Sequence, residues 1–135
     1  FERGTDPNIT KYAAERCAQL IAELADGKIA KGIVDIYPNV IQPKQIELRF
    51  SRTTRILGYE VSSKKIKNIL ARLGMEIKDL DEDKLEVLVP TFRPDIEREI
   101  DLIEEIARIN GYDNIPTVTK INITLEKKTD ETEEL

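Results

Sequence analysis

Residues 51–89 read SRTTRILGYEVSSKKIKNILARLGMEIKDLDEDKLEVLV, and the order of elements in this stretch sets the fold. Ser51 can cap a short helix running to about Leu57, which Gly58 ends. Ser62 caps a longer helix to Leu73, with Ile66, Ile69, Leu70 and Leu73 on one face. Val61 before that cap and Ile66 within the first turns are placed for a hydrophobic staple, and Gly74 closes the helix. Glu76 to Leu80 and Leu85 to Val89 then form a hairpin around the acidic turn Asp81-Glu82-Asp83. Two helices followed by a hairpin are the parts of a winged-helix-like α+β unit.

Downstream, Pro90 and Pro94 hold the chain extended. A long helix follows from about Ile96 to Asn110 and stops at Gly111. Residues 117 to 126 are placed to add a short strand, and 127 to 135 (KKTDETEEL) read as a frayed tail or linker. Upstream, Gln45 to Phe50 reads as a strand, preceded by a linker containing Pro38 and Pro43 and by another strand at Gly32 to Tyr37. The first helix spans residues 5 to 27, with Asp6 as its cap, Pro7 at the tolerated first position and Gly27 just past its end. Ala13, Cys17, Leu20, Ile21 and Leu24 make one apolar stripe on it, so Cys17 reads as a small buried hydrophobe rather than a reactive thiol. The proline-spaced stretch puts a boundary near residue 40.

Composition narrows the chemistry. The 135 residues carry 26 acidic and 21 basic side chains, a formal charge of −5, with one Cys and no His or Trp. Without histidine there is no Ser-His-Asp or Cys-His catalysis and no His-based zinc site. A lone Cys makes no internal disulfide and no CxxC knuckle, which fits a reducing, cytoplasmic setting. No apolar run approaches the ~18 residues needed to span a bilayer, so no membrane is expected as a partner. The first residue is Phe rather than Met, which suggests a piece of a longer chain. The glycines are scattered, so no phosphate-cradling loop is present. A glycosidase-like carboxylate pair is a poor reading, since nothing suggests a sugar platform.

Two constellations remain. Between residues 44 and 72 lie eight basic residues, Lys44, Arg49, Arg52, Arg55, Lys64, Lys65, Lys67 and Arg72, against Glu47 and Glu60 alone. With the hairpin as a wing, Arg52, Arg55, Lys64, Lys65 and Lys67 are candidates for contacting nucleic-acid phosphates. Solvated outer faces of two amphipathic helices explain them equally, and the acidic turn and acidic chain favour that plainer account. On the last helix, Asp101, Glu104 and Glu105 share an arc of about 100°, and such like-charge spacing is mildly destabilising unless something offsets it. A hard cation such as Mg²⁺ would do so, with Asp95 as a fourth carboxylate. The alternative makes Asp95 the helix cap, Glu97 and Glu99 partners of the helix dipole, and Glu104 an i,i+4 partner of Arg108. Spacing alone prefers the alternative.

The run Val89-Pro90-Thr91-Phe92-Arg93-Pro94-Asp95-Ile96, continued by Glu99-Ile100-Asp101-Leu102-Ile103-Glu104-Glu105-Ile106-Ala107-Arg108, Gly111-Tyr112 and Ile115-Pro116, is more selective. It resembles the B5 domain of the bacterial phenylalanyl-tRNA synthetase beta subunit. Ile56-Leu57-Gly58, Ile69-Leu70 and Leu73-Gly74 match the helical part of that module. The opening Phe1-Glu2-Arg3-Gly4-Thr5-Asp6-Pro7 looks like the end of the preceding editing domain. The resemblance implies residues 1–40 as the tail of the editing domain plus linker, 41–119 as the B5 domain, and 120–135 as an exit linker or short strand. It implies a winged-helix-like three-helix module with a small antiparallel sheet, preceded by a helix-strand segment from the neighbouring domain. It also implies a Mg²⁺ shared with an alpha subunit, whose matching ligand positions here are Asp95, Asp101, Glu104 and Glu105. This reverses the preference drawn from spacing. The family joins phenylalanine to its tRNA with ATP as an α₂β₂ heterotetramer in the cytoplasm. The segment present here would then be a non-catalytic scaffold, with ATP and tRNA bound only by the intact enzyme.

Overall fold

The computed structural model describes residues 4–116. The expected strand at 117 to 126, the tail beyond it and the opening Phe1-Glu2-Arg3 lie outside the described residues. A 3₁₀ turn at Pro7–Ile9 leads into α1 (Thr10–Ala25). After a long extended connection come β1 (Lys44–Arg49), α2 (Phe50–Leu57), α3 (Ser63–Arg72), β2 (Glu76–Asp79), β3 (Lys84–Val89) and α4 (Glu99–Asn110). A second 3₁₀ turn, Tyr112–Asn114, follows.

The strands form one antiparallel sheet in the order β1-β3-β2, so β3 is central and the hairpin partner of β2. In register, Ile46 faces Val87 and Leu48 faces Leu85, which stacks the inward residues of both strands on one side. That side packs on Leu57 from α2, Ile66, Ile69 and Leu70 from α3, and Leu102, Ile103 and Ile106 from α4. The result is an α+β unit of three helices on a small antiparallel sheet. Every buried apolar residue of the core lies between Ile46 and Ala107.

The caps explain where the helices begin. Ser62 Oγ accepts from the Lys65 amide at 3.4 Å at the head of α3, and Val61 and Ile66 on either side of that cap are both buried. Gly74, at φ +82°, turns the chain out of α3, and a Cβ there would come within 3.2 Å of the Phe92 ring. The start of α2 departs from expectation. The helix begins at Phe50, so Ser51 lies inside it and caps nothing. Its terminal amides are met from the hairpin instead. Phe50 N donates to the Asp83 carbonyl at 2.8 Å, while Ser51 N and Oγ donate to the Asp83 carboxylate at 2.7 and 2.6 Å. The acidic hairpin turn is thereby a cap supplied from a distant part of the sequence. The Ser51 hydroxyl, and then the Ser51 amide, holds the Asp83 carboxyl below its ordinary range.

The N-terminal third differs more. Gly32 to Tyr37 forms no strand, because no sheet edge pairs with it; Val34 and Ile36 stand 89% and 83% exposed. α1 buries none of its residues, and Cys17 is exposed rather than buried. Its apolar stripe lies on a helix, but within the described residues no element covers it. Several polar bonds join this region to the rest. Asp6 caps the 3₁₀ turn by accepting from Asn8 N at 3.0 Å, and its Oδ1 also receives the Thr91 hydroxyl at 2.7 Å. Asn8 Nδ2 donates to Thr91 Oγ1 at 3.0 Å and to the Ile41 carbonyl at 3.1 Å. No helix among the described residues is long and apolar enough to cross a membrane.

Candidate functional site

The four carboxylates singled out in the sequence lie around and along α4, and each has a different environment. The helix starts at Glu99, not at Ile96, and Asp95 is not its cap. Asp101 reaches back one turn instead: its Oδ2 accepts from the amides of Glu97 at 2.9 Å and Arg98 at 2.8 Å. This cap from within the first turn fixes the helix start three residues late, after the proline-stiffened turn in which Arg93 N donates to the Pro90 carbonyl at 3.0 Å. Those amides, Glu97 first, hold the Asp101 carboxyl below its ordinary range.

Asp95 and Glu105 are joined through Arg93. The Arg93 guanidinium donates twice to Asp95, Nε to Oδ1 at 2.9 Å and Nη2 to Oδ2 at 2.7 Å. On its other side Nη1 donates to Glu105 Oε2 at 3.3 Å, and Nη2 lies 3.2 Å from Glu105 Oε1. Glu105 also receives Arg108, with Nε to Oε1 at 3.2 Å and Nη2 to Oε2 at 2.5 Å. Only 8% of Glu105 is exposed. Burial pushes its carboxyl up, but the bonds from Arg108 and Arg93 outweigh that and leave it below its ordinary range. The Asp95 carboxylate raises the Arg93 pKa, so this guanidinium stays charged. Arg108 thus pairs with Glu105, not with Glu104. Glu104 is exposed and forms no ion pair among the described residues.

The repulsion expected along the helix is therefore offset, within this chain, by two arginines and by amides at the helix start. Among the described residues no three His, Cys, Asp or Glu side chains converge to hold a metal ion by themselves. The donors are all carboxylate oxygens, the chemistry that suits Mg²⁺, and an ion here would draw further oxygens from outside this chain.

A pairing that spacing did not reveal anchors the helix. Glu99 Oε1 accepts from the Arg49 amide at 2.9 Å and from its Nε at 3.1 Å, and Glu99 Oε2 from its Nη2 at 2.7 Å. Arg52 Nε adds an ion-pair contact at 3.3 Å to Glu99 Oε2. The last residue of β1 and the first of α4 are thus locked together. Arg49 above all holds the Glu99 carboxyl below its ordinary range. The only local hint was an acid in the first helical turn.

The basic set is divided in the same way. Arg52 serves Glu99, and Lys67 pairs with Asp79 at 2.6 Å. Arg55, Lys64 and Lys65 are exposed on α2 and α3, with no ion pair among the described residues. A cleft of about 350 Å³ lies where Gly4, Pro7 and Ile41 meet Pro90, Pro94 and Ile96, beside Arg93.

Known proteins are similar to this sequence. The chain is 50% identical over 115 residues to the phenylalanine–tRNA ligase beta subunit of Thermotoga maritima, covering 85% of this chain and 14% of that protein. With the beta subunit of Geobacter sulfurreducens it shares 45% identity over 117 residues, covering 87% of this chain and 15% of that one. The chain therefore spans about one seventh of the length of these curated relatives. A crystal structure of an N-terminal fragment of the Pyrococcus horikoshii phenylalanyl-tRNA synthetase beta subunit aligns at TM-score 0.49 and 25% identity, over 57% of this chain and 22% of that one. Residues 46–112, which hold the buried core of the described residues and the carboxylate–arginine cluster, match the tRNA synthetase B5 domain, and this segment belongs to that family.

Proposed function

We propose that this chain is a segment of a phenylalanine–tRNA ligase beta subunit and serves there as a non-catalytic scaffold. The observation that carries the reading is its identity of 45–50% to such subunits along more than four fifths of its length. The complete enzyme would join phenylalanine to its tRNA with ATP, in the cytoplasm, as an α₂β₂ assembly. The absence of histidine and the internal pairing of Arg49 with Glu99 and of Arg93 with Asp95 support a structural rather than a catalytic part. Asp95, Asp101, Glu104 and Glu105 would hold a Mg²⁺ ion shared with the alpha subunit. That ion would supply a bridge of fixed charge between carboxylates of two chains, without taking part in the chemistry of acylation.

The test uses the full beta subunit co-purified with its alpha subunit. Glu104→Gln is the informative change, because Glu104 is exposed and serves no internal pair among the described residues. The expected result is an unchanged melting temperature with a lower magnesium content per heterodimer and a weaker association of subunits. Magnesium content and assembly equal to those of the parent would refute the site.

A further inference from the structure

We infer that Asn110 is a site of self-modification, deamidation through the Gly111 amide, which the fold holds shut while the last turn of α4 is closed. The chain has six asparagines. Asn8, Asn39, Asn68, Asn114 and Asn122 each precede Ile or Val, whose branched side chains crowd the amide nitrogen that would react. Asn110 alone precedes glycine, which has no Cβ to obstruct it. In the reaction the Gly111 nitrogen gives up its proton and attacks Cγ of Asn110. The new N–Cγ bond closes a five-membered succinimide, and ammonia leaves carrying that proton. Water then opens the ring at either carbonyl, giving aspartate or isoaspartate. The closed turn opposes each step. The Gly111 amide donates to the Ala107 carbonyl at 3.0 Å, so its proton is engaged. Asn110 is 8% exposed, and Nδ2, the leaving group, donates to the Tyr59 hydroxyl. Its Oδ1 is buried and accepts no hydrogen bond among the described residues, so an oxyanion forming there would find no donor. Asn114 Nδ2 donates to the Asn110 carbonyl and ties the following 3₁₀ turn to the same residue. Opening of that turn lifts these restraints together, and the modified chain does not reclose. A carboxylate at so buried a position has the Tyr59 hydroxyl as its one neutral donor there, and burying a charge on such terms is costly. Deamidation thus leaves α4 detached from the α2–α3 loop that carries Tyr59, independently of the magnesium reading.

The experiment incubates the 135-residue chain, whose core closes between Ile46 and Ala107, in mildly alkaline buffer with and without urea. Intact mass and peptide mapping follow the exchange of ammonia for water. The expected result is conversion at Asn110 in urea and a rate at least about a hundredfold lower in the folded chain. Tyr59→Phe, which removes the hydroxyl and keeps the ring, should deamidate about fivefold faster than the folded parent. A readout without mutation covers the case in which that variant folds poorly: as urea rises, deamidation of the parent should keep pace with amide exchange at Gly111. Asn110→Asp, the product written into the sequence, should lose exchange protection at Gly111. Folded and unfolded rates within about tenfold of each other, or conversion chiefly at another asparagine, would overturn the inference. So would a Tyr59→Phe rate equal to the parent's, deamidation that does not track Gly111 exchange, or full Gly111 protection in Asn110→Asp.

Discussion

Replacing Glu99 by Gln isolates the contact that ties β1 to α4. The carboxylate receives three hydrogen bonds from Arg49 and an ion-pair contact from Arg52, and its side chain is 14% exposed. Breaking a buried pair from one side costs about 3–5 kcal/mol. Here the arginines are 39% and 38% exposed, so water meets part of their need, and Gln keeps an amide oxygen as an acceptor. A loss of about 2 kcal/mol at neutral pH is expected after that discount. For a domain of this size it corresponds to a melting temperature lower by roughly 8–16 °C. The acid dependence supplies an independent sign. Glu99 has a folded pKa below its ordinary 4.5, so its contribution is fully present above that value and is lost as pH falls through the folded pKa. Parent and variant should therefore converge as pH falls below about 4.5. Circular-dichroism melts at neutral pH and at about pH 3 test this. Melting temperatures within about 2 °C at neutral pH, or a gap undiminished in acid, would refute the reasoning.

Asp83→Ala removes the carboxylate that the hairpin lends to α2, so amide exchange at Ser51 should quicken by an order of magnitude or more while α3 keeps its protection. Exchange unchanged at the Ser51 amide would show that the cap adds nothing. Cys17, exposed on α1, should react with a thiol reagent in the folded chain about as fast as in urea. A reaction slowed more than about tenfold by folding would mean that the α1 surface is covered.

What the sequence disclosed follows from the range of each interaction. Ser62, Gly58 and Gly74 act on their own helices, and the alternation of Leu85, Val87 and Val89 is a local period of two, so α3, the hairpin and the core face were all legible. The start of α2 was not, because its amides are met by Asp83, more than thirty positions away. The start of α4 was placed too early because Asp95 looked like a cap, whereas Asp101 accepts from the amides before it. Gly32 to Tyr37 has a strand's composition, yet a strand exists only where a neighbour pairs with it. At the acidic site, the residue types and their shared helix face were readable. Which arginine answers which carboxylate was not, since Arg93 reaches Glu105 across a turn whose shape is set by two prolines.

The bonds made by Asn8 carry a topological meaning. Its one side-chain amide holds both the Ile41 carbonyl and the Thr91 hydroxyl, so everything between residues 9 and 40 leaves and returns at a single knot. An excursion cinched at its neck does not transmit its own rearrangements to the body it departs from. Evolution, or an engineer, is thereby free to resize or exchange that appendage while the sheet, the three helices and the arginine-bridged acids stay as they are.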